Sequence, residues 1–188
     1  MAVATPTVRR PSILGVGVVV WLASELMFFA GLFAAYFTLR SASDVWPADD
    51  AELATGRTAV ATCFLIASSF TMHLAVRASE GGDRRRSVRW LFVTMGLGGV
   101  FLTNQAIEYV ELPFSISSHA YGSMFYLLTG FHGLHVLGGL GFMLGVIAII
   151  AGRTSRSPVG PPVTVCAYYW HFVDVVWVFM FATIYLLK

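Results

Sequence analysis

The sequence predicts an all-α membrane protein: a single domain over residues 1–188, folded as a polytopic bundle of five transmembrane helices, N-terminus cytoplasmic and C-terminus outside. Three observations predict it. Hydrophobic residues make up 57% of the 188 and charged residues only 12%, against about a quarter charged in a soluble domain, and the mean hydropathy is +0.74. The apolar residues fall into five runs, each near the ~20 residues that a helix needs to cross a bilayer core. The basic residues gather on alternate connections between those runs.

The first span is expected at Ile13–Leu39. Arg9 and Arg10 precede it, as in a signal peptide, but the apolar run far exceeds the ~7–15 residues of a signal h-region, so it is read as a retained span. A polar turn, Asp44–Asp50, leads to the second span at Thr58–Val76. Gly81-Gly82-Asp83-Arg84-Arg85-Arg86 punctuates the chain before the third, at Trp90–Val110. The fourth, Tyr121–Ala151, is the longest. As one helix it would rise about 46 Å, more than a ~30 Å core, so it must tilt or project. Ser157–Pro162 then breaks the chain before the last span, Val163–Leu187.

Orientation follows from the arginines. Arg9, Arg10, Arg77, Arg84, Arg85, Arg86, Arg89, Arg153 and Arg156 fall on the N-terminal side, and only Arg40, Arg57 and Lys188 on the other. The positive-inside rule places the richer side in the cytoplasm. The Arg84–Arg86 cluster sets topology and is also suited to anionic lipid. A net charge of +2 gives no reason to expect nucleic acid. Cys63 and Cys166 form no CxxC pair and no disulfide framework. No GxSxG, P-loop or Rossmann glycine pattern marks a soluble enzyme.

The polar residues inside the spans carry the functional signal. Glu25 sits near the middle of the first, where an acidic side chain costs about 2.5–3.5 kcal/mol on insertion scales. Proton relay, ion site, lipid contact, or a protonated acid bonded to a neighbouring helix would each account for it. His132 and His135, three apart, share a helix face. One helix cannot place both on opposite sides of a haem, and a metal would need ligands from other spans. Interhelical hydrogen bonding is the favoured reading. Gly130, Gly133, Gly138 and Gly139 around them, and the Gly141-xxx-Gly145 step beyond, are expected to admit a close neighbour. In the fifth span His171 and Asp174 are spaced to pair, and Trp170 and Trp177 read as an interfacial aromatic belt. Asn104, Gln105 and Glu108 are expected near the outer surface, within reach of water.

Four strings occur in order: Ser24-Glu25-Leu26-Met27-Phe28-Phe29, Ala120-Tyr121-Gly122-Ser123, Gly130-Phe131-His132-Gly133-Leu134-His135-Val136, and Tyr169-Trp170-His171-Phe172-Val173-Asp174-Val175-Val176-Trp177. Together they closely resemble subunit III of cytochrome c oxidase, a haem–copper terminal oxidase, from the first span to Lys188. The resemblance implies a helical, non-catalytic subunit of the aerobic electron-transport chain in a bacterial plasma membrane. It would hold no haem or copper itself; those groups belong to partner subunits. Subunits I and II and phospholipids are the implied partners, and a supercomplex with a quinol–cytochrome c reductase is compatible with it. The implied roles are to stabilise subunit I, organise lipid in a cleft, and support proton uptake.

On this resemblance Glu25 matches the family's intramembrane glutamate, His132 and His135 its motif histidines, and His171 with Asp174 its last-helix polar pair. Glu25 becomes a packing, lipid-site or proton-linked group, and no residue of the chain is catalytic or a metal ligand. Two N-terminal helices of the longer members are missing, which puts in doubt a lipid cleft walled by this chain alone. Thr38 stands near the place where longer members tend to carry a histidine. A subunit of a quinol oxidase or of a nitric oxide reductase system is the nearby alternative. A small proton transporter using Glu25, His132, His135 and Asp174 is the reading from another class.

Overall fold

A computed structural model of the chain describes residues 13–48, 51–152 and 160–187. The basic residues Arg9, Arg10, Arg153 and Arg156, and Lys188, lie outside the described residues, as do Asp49 and Asp50 of the first loop. The described elements are all helical: α1 (Ile13–Ala42), α2 (Thr55–Glu80), α3 (Arg84–Glu111), α4 (Ala120–Gly152) and α5 (Gly160–Phe181), which runs on into a π-helical turn, Ala182–Leu186. All five are long and apolar enough to cross a membrane. Most extend a few residues past the apolar runs, because arginines and hydroxyl residues continue a helix well beyond the hydrocarbon.

Local chemistry sets the helix ends. Gly82 turns the α2–α3 hairpin at φ +77°, where a Cβ would be strained. The Asp83 carboxylate then accepts the Arg86 backbone N–H at 2.9 Å, capping α3. At the other end of α3, Leu112 is extended, as the residue before Pro113 must be. The His119 imidazole accepts the Gly122 N–H at 2.9 Å and so caps α4.

Packing is uneven. The α2–α3 hairpin is the most extensive pairing, and α5 packs against α1, α2 and α4. Half of the most apolar window of α5 is buried, against 11% of that of α1. Helix α5 is therefore the core element, while α1 leans on α4 and α5 from outside. Two ends of the bundle can be told apart. One gathers the start of α3 and the end of α4, with Arg84, Arg85 and Ile150 around one groove. The opposite end is closed by the α1–α2 loop, where Trp46 donates to the Tyr36 hydroxyl at 3.1 Å and packs edge-on against Tyr121.

Candidate functional site

Helix α1 presents Trp21 and Glu25 one turn apart, and the Trp21 indole N–H donates to Glu25 Oε1 at 3.0 Å. From α4, His135 brings Nε2 within 3.1 Å of Glu25 Oε2, while its Nδ1 lies 2.7 Å from the Phe131 carbonyl. A carbonyl only accepts, so Nδ1 carries a hydrogen. The Nε2–Oε2 contact is then a polar link between α1 and α4 in an otherwise apolar setting. From α5, Tyr169 stacks on Trp21 at 5.1 Å and donates its hydroxyl to the His135 carbonyl at 3.0 Å.

This cluster joins three helices at the rim of the bundle. The His135 and Glu25 side chains remain 17% and 25% exposed. Exposed Leu26, Met27, Phe28 and Leu134 surround them. The result is a polar pair set in an apolar surface.

His132 is placed differently. Its spacing from His135 suggested a shared face, but the two rings diverge to different neighbours. His132 is fully buried between Phe101 of α3, edge-on at 5.8 Å, and Trp177 of α5 at 4.9 Å. Neither ring nitrogen has a hydrogen-bond partner among the described residues. The interhelical hydrogen bond expected of it is absent, and its contacts are aromatic. These donors do not suit a haem or a copper ion. The two histidines face apart, and no group of three His, Cys, Asp or Glu side chains comes together among the described residues.

The aromatic belt expected in α5 is also corrected. Trp170 and Trp177 are fully buried rather than interfacial. The Trp170 N–H donates to the Ser68 hydroxyl, and the Trp177 N–H to that of Thr62, both at 2.9 Å, which ties α5 to α2. His171 and Asp174 do not pair directly. The Ser69 hydroxyl lies between them: it donates to Asp174 Oδ2 and sits 3.0 Å from His171 Nδ1. Asp174 is buried, and its Oδ1 has no partner among the described residues.

The glycines divide into two groups. A Cβ on Gly139 would fall 2.7 Å from the Trp170 ring, and one on Gly138 would fall 3.1 Å from the Tyr169 hydroxyl. Gly130 and Gly133 would meet only ordinary contacts, at 3.6 and 3.8 Å. Gly141 and Gly145 face open space within this chain, so the close approach expected there is not made by its own helices. Gly98 of α3, which the sequence reading passed over, is the tightest of those around Trp170, at 2.6 Å.

A second polar cluster was missed because it was assigned to water. Glu108, Gln105 and Asn104 are all buried. Glu108 accepts from the Tyr185 hydroxyl at 2.7 Å, and more weakly from Thr58 and Gln105 at 3.4 Å. The π-helical turn places Tyr185 there. The available signal was spacing: Asn104, Gln105 and Glu108 lie at i, i+1 and i+4 on one stripe of α3.

The sequence matches the family described as cytochrome c oxidase subunit III over residues 3–188. The chain belongs to the cytochrome c oxidase subunit III family. A probable cytochrome c oxidase subunit 3 of Nocardia farcinica is 46% identical over 188 residues, covering 97% of this chain and 92% of that protein. The counterpart in Mycobacterium tuberculosis is 46% identical over 187 residues, with 97% and 92% covered. Cytochrome c oxidase subunit 3 of Thermostichus vulcanus is 37% identical over 185 residues, with 95% and 90% covered. Family membership makes the chain part of a respiratory oxidoreductase complex, associated with other oxidase subunits in a membrane.

Proposed function

We propose that this chain is the non-catalytic third subunit of a proton-pumping haem–copper oxidase that passes electrons from cytochrome c to oxygen in a bacterial plasma membrane. It braces subunit I, organises phospholipid and supports proton uptake, while haem and copper stay in its partners. Its N-terminus is cytoplasmic and its C-terminus outside. The observation that carries this reading is the Glu25–His135 pair. It is joined at 3.1 Å, is held by Trp21 and Tyr169, and sits at a surface otherwise made of exposed Leu26, Met27, Phe28 and Leu134. A polar pair in an apolar surface needs a covering neighbour, either a lipid or another subunit's helix, because hydrocarbon alone cannot solvate it.

Affinity purification of this chain from its native membrane tests the reading. Haem, copper and cytochrome c-driven oxygen consumption should travel with it, and recovery in a stable complex without haem would refute the proposal. Turnover supported by quinol but not by cytochrome c would move the chain to a quinol oxidase, with the same fold and the same role.

A further inference from the structure

The α2–α3 hairpin turn carries an arrangement that helix stability alone does not favour. Arg84, Arg85 and Arg86 fill the first turn of α3, with no acidic residue in that turn. Cations there oppose the helix dipole, and Arg85 and Arg89 repel each other one turn apart. The nearby Asp83 carboxylate is engaged by the Arg86 backbone N–H. No ion pair or side-chain hydrogen bond engages the guanidinium groups of Arg85 or Arg89 among the described residues.

These arginines rim a built concavity. A groove of about 610 Å³ lies where the start of α3 meets the end of α4, and it is lined by Arg84, Arg85, Arg89, Val88 and Ile150. A smaller groove of about 250 Å³ shares Arg89 and continues along α3 over Trp90 and Val93. Guanidinium groups form the rim, aliphatic side chains form the wall, and the Trp90 indole lines the adjoining groove; tryptophan is a residue enriched at membrane interfaces. Setting topology requires only positive charge; it requires neither a groove nor an apolar wall.

We propose that this end of the α2–α3 hairpin binds an anionic phospholipid. The phosphate rests on Arg85 and Arg89, and the acyl chain runs against Val88 and Ile150 between α3 and α4. Arginine matches a phosphodiester because its planar fork donates two parallel hydrogen bonds. A free phosphate would leave the apolar wall uncovered, and an acidic protein segment would bring no acyl chain to it. The site is separate from the Glu25 surface, which is built from α1, α4 and α5. It rests on the chain spanning a membrane and not on which oxidase the chain serves.

The test uses the intact purified complex in phosphatidylcholine nanodiscs doped with a phosphatidylglycerol that carries a photoreactive acyl chain. Labelling is expected on the peptides holding Val88 and Ile150. Unlabelled phosphatidylglycerol should compete, and inorganic phosphate should not. The double variant R85Q/R89Q should lower capture by roughly tenfold or more, since two charges facing an anionic headgroup are removed. R85K/R89K keeps the topological charge, assembles where the glutamine variant does not, and should label less than wild type through loss of the bidentate contacts. Equal labelling by a photoreactive phosphatidylcholine in the wild-type complex would overturn the proposal without any variant. So would full competition by inorganic phosphate, or a cross-link from Val88 to an acidic segment of another subunit. None of these outcomes depends on the electron donor, so failure here leaves the proposed function standing.

Discussion

The indole of Trp170 fills the space that side chains at Gly98 and Gly139 would otherwise occupy, and its N–H is spent on Ser68. One side chain therefore fixes the separation of α3, α4 and α5 and bonds to α2. Gly139→Ala should lower the thermal stability of the purified complex by about 1–3 kcal/mol through overpacking, more than the ~1 kcal/mol that alanine gains in helix propensity. Gly141→Ala, which meets open space, should show no loss; equal melting temperatures for the two variants would contradict the wedge. His132 gives the opposite kind of prediction. With no protein partner on either nitrogen, His132→Leu removes buried polar atoms as well as ring packing. Its stability should stay within about 1 kcal/mol of wild type, because an unbonded polar group costs energy to bury. A larger fall in melting temperature would show that the imidazole makes a bond after all.

Between elements, hydroxyl groups join what apolar contact cannot distinguish. Ser69 of α2 serves both His171 and Asp174 of α5, and Thr71 pairs with Thr94 of α3 at 2.7 Å. Ser69→Ala would leave the Asp174 carboxyl without a donor inside the bundle. The expected loss is about 1–2 kcal/mol, the upper range for polar contacts between membrane helices, read from thermal unfolding of the assembled complex. Ser69→Thr, which keeps the hydroxyl, should recover part of that loss. Glu108 plays the matching part at the other end, where Tyr185, Thr58 and Gln105 gather on it from three elements. The residue types of this cluster were visible in the sequence, but their burial was not: a position near a helix end reads as wet until the loop and the π-helical turn are seen to cover it.

For the whole molecule, the asymmetry of α1 matters most. It buries little of itself and exposes Val16, Val19, Val20, Leu26 and Met27. Exposed apolar side chains of this kind suit lipid or another subunit's helix, and the Glu25–His135 pair joins this helix to α4. Glu25→Gln keeps a group that both donates and accepts, so assembly, haem content and initial oxygen-reduction rate of the complex should match wild type. Loss of haem from that complex would mean that Glu25 supports the redox subunit directly. Trp21 and Tyr169, which hold the carboxylate and the histidine in place, should tolerate replacement less well than Glu25 itself.

The sequence by itself determined the helical class, the five spans, their short connections and, through four ordered strings, the family. Those properties are written in hydropathy, in glycine and proline punctuation, and in residue order. It also selected Glu25, His135, His171 and Asp174 as polar groups that need partners. Only the tertiary structure decided which partners they have: Ser69 between His171 and Asp174, Trp21 with His135 on Glu25, aromatic rings rather than hydrogen bonds around His132, and a buried rather than interfacial Trp170 and Trp177. The physical reason is the solvent. Lipid tails are as apolar as leucine, so a membrane helix is apolar on its lipid-facing and protein-facing sides alike, and periodicity cannot tell them apart. Small residues and hydroxyls mark the inner faces, but which glycine receives which ring is settled only when the helices meet.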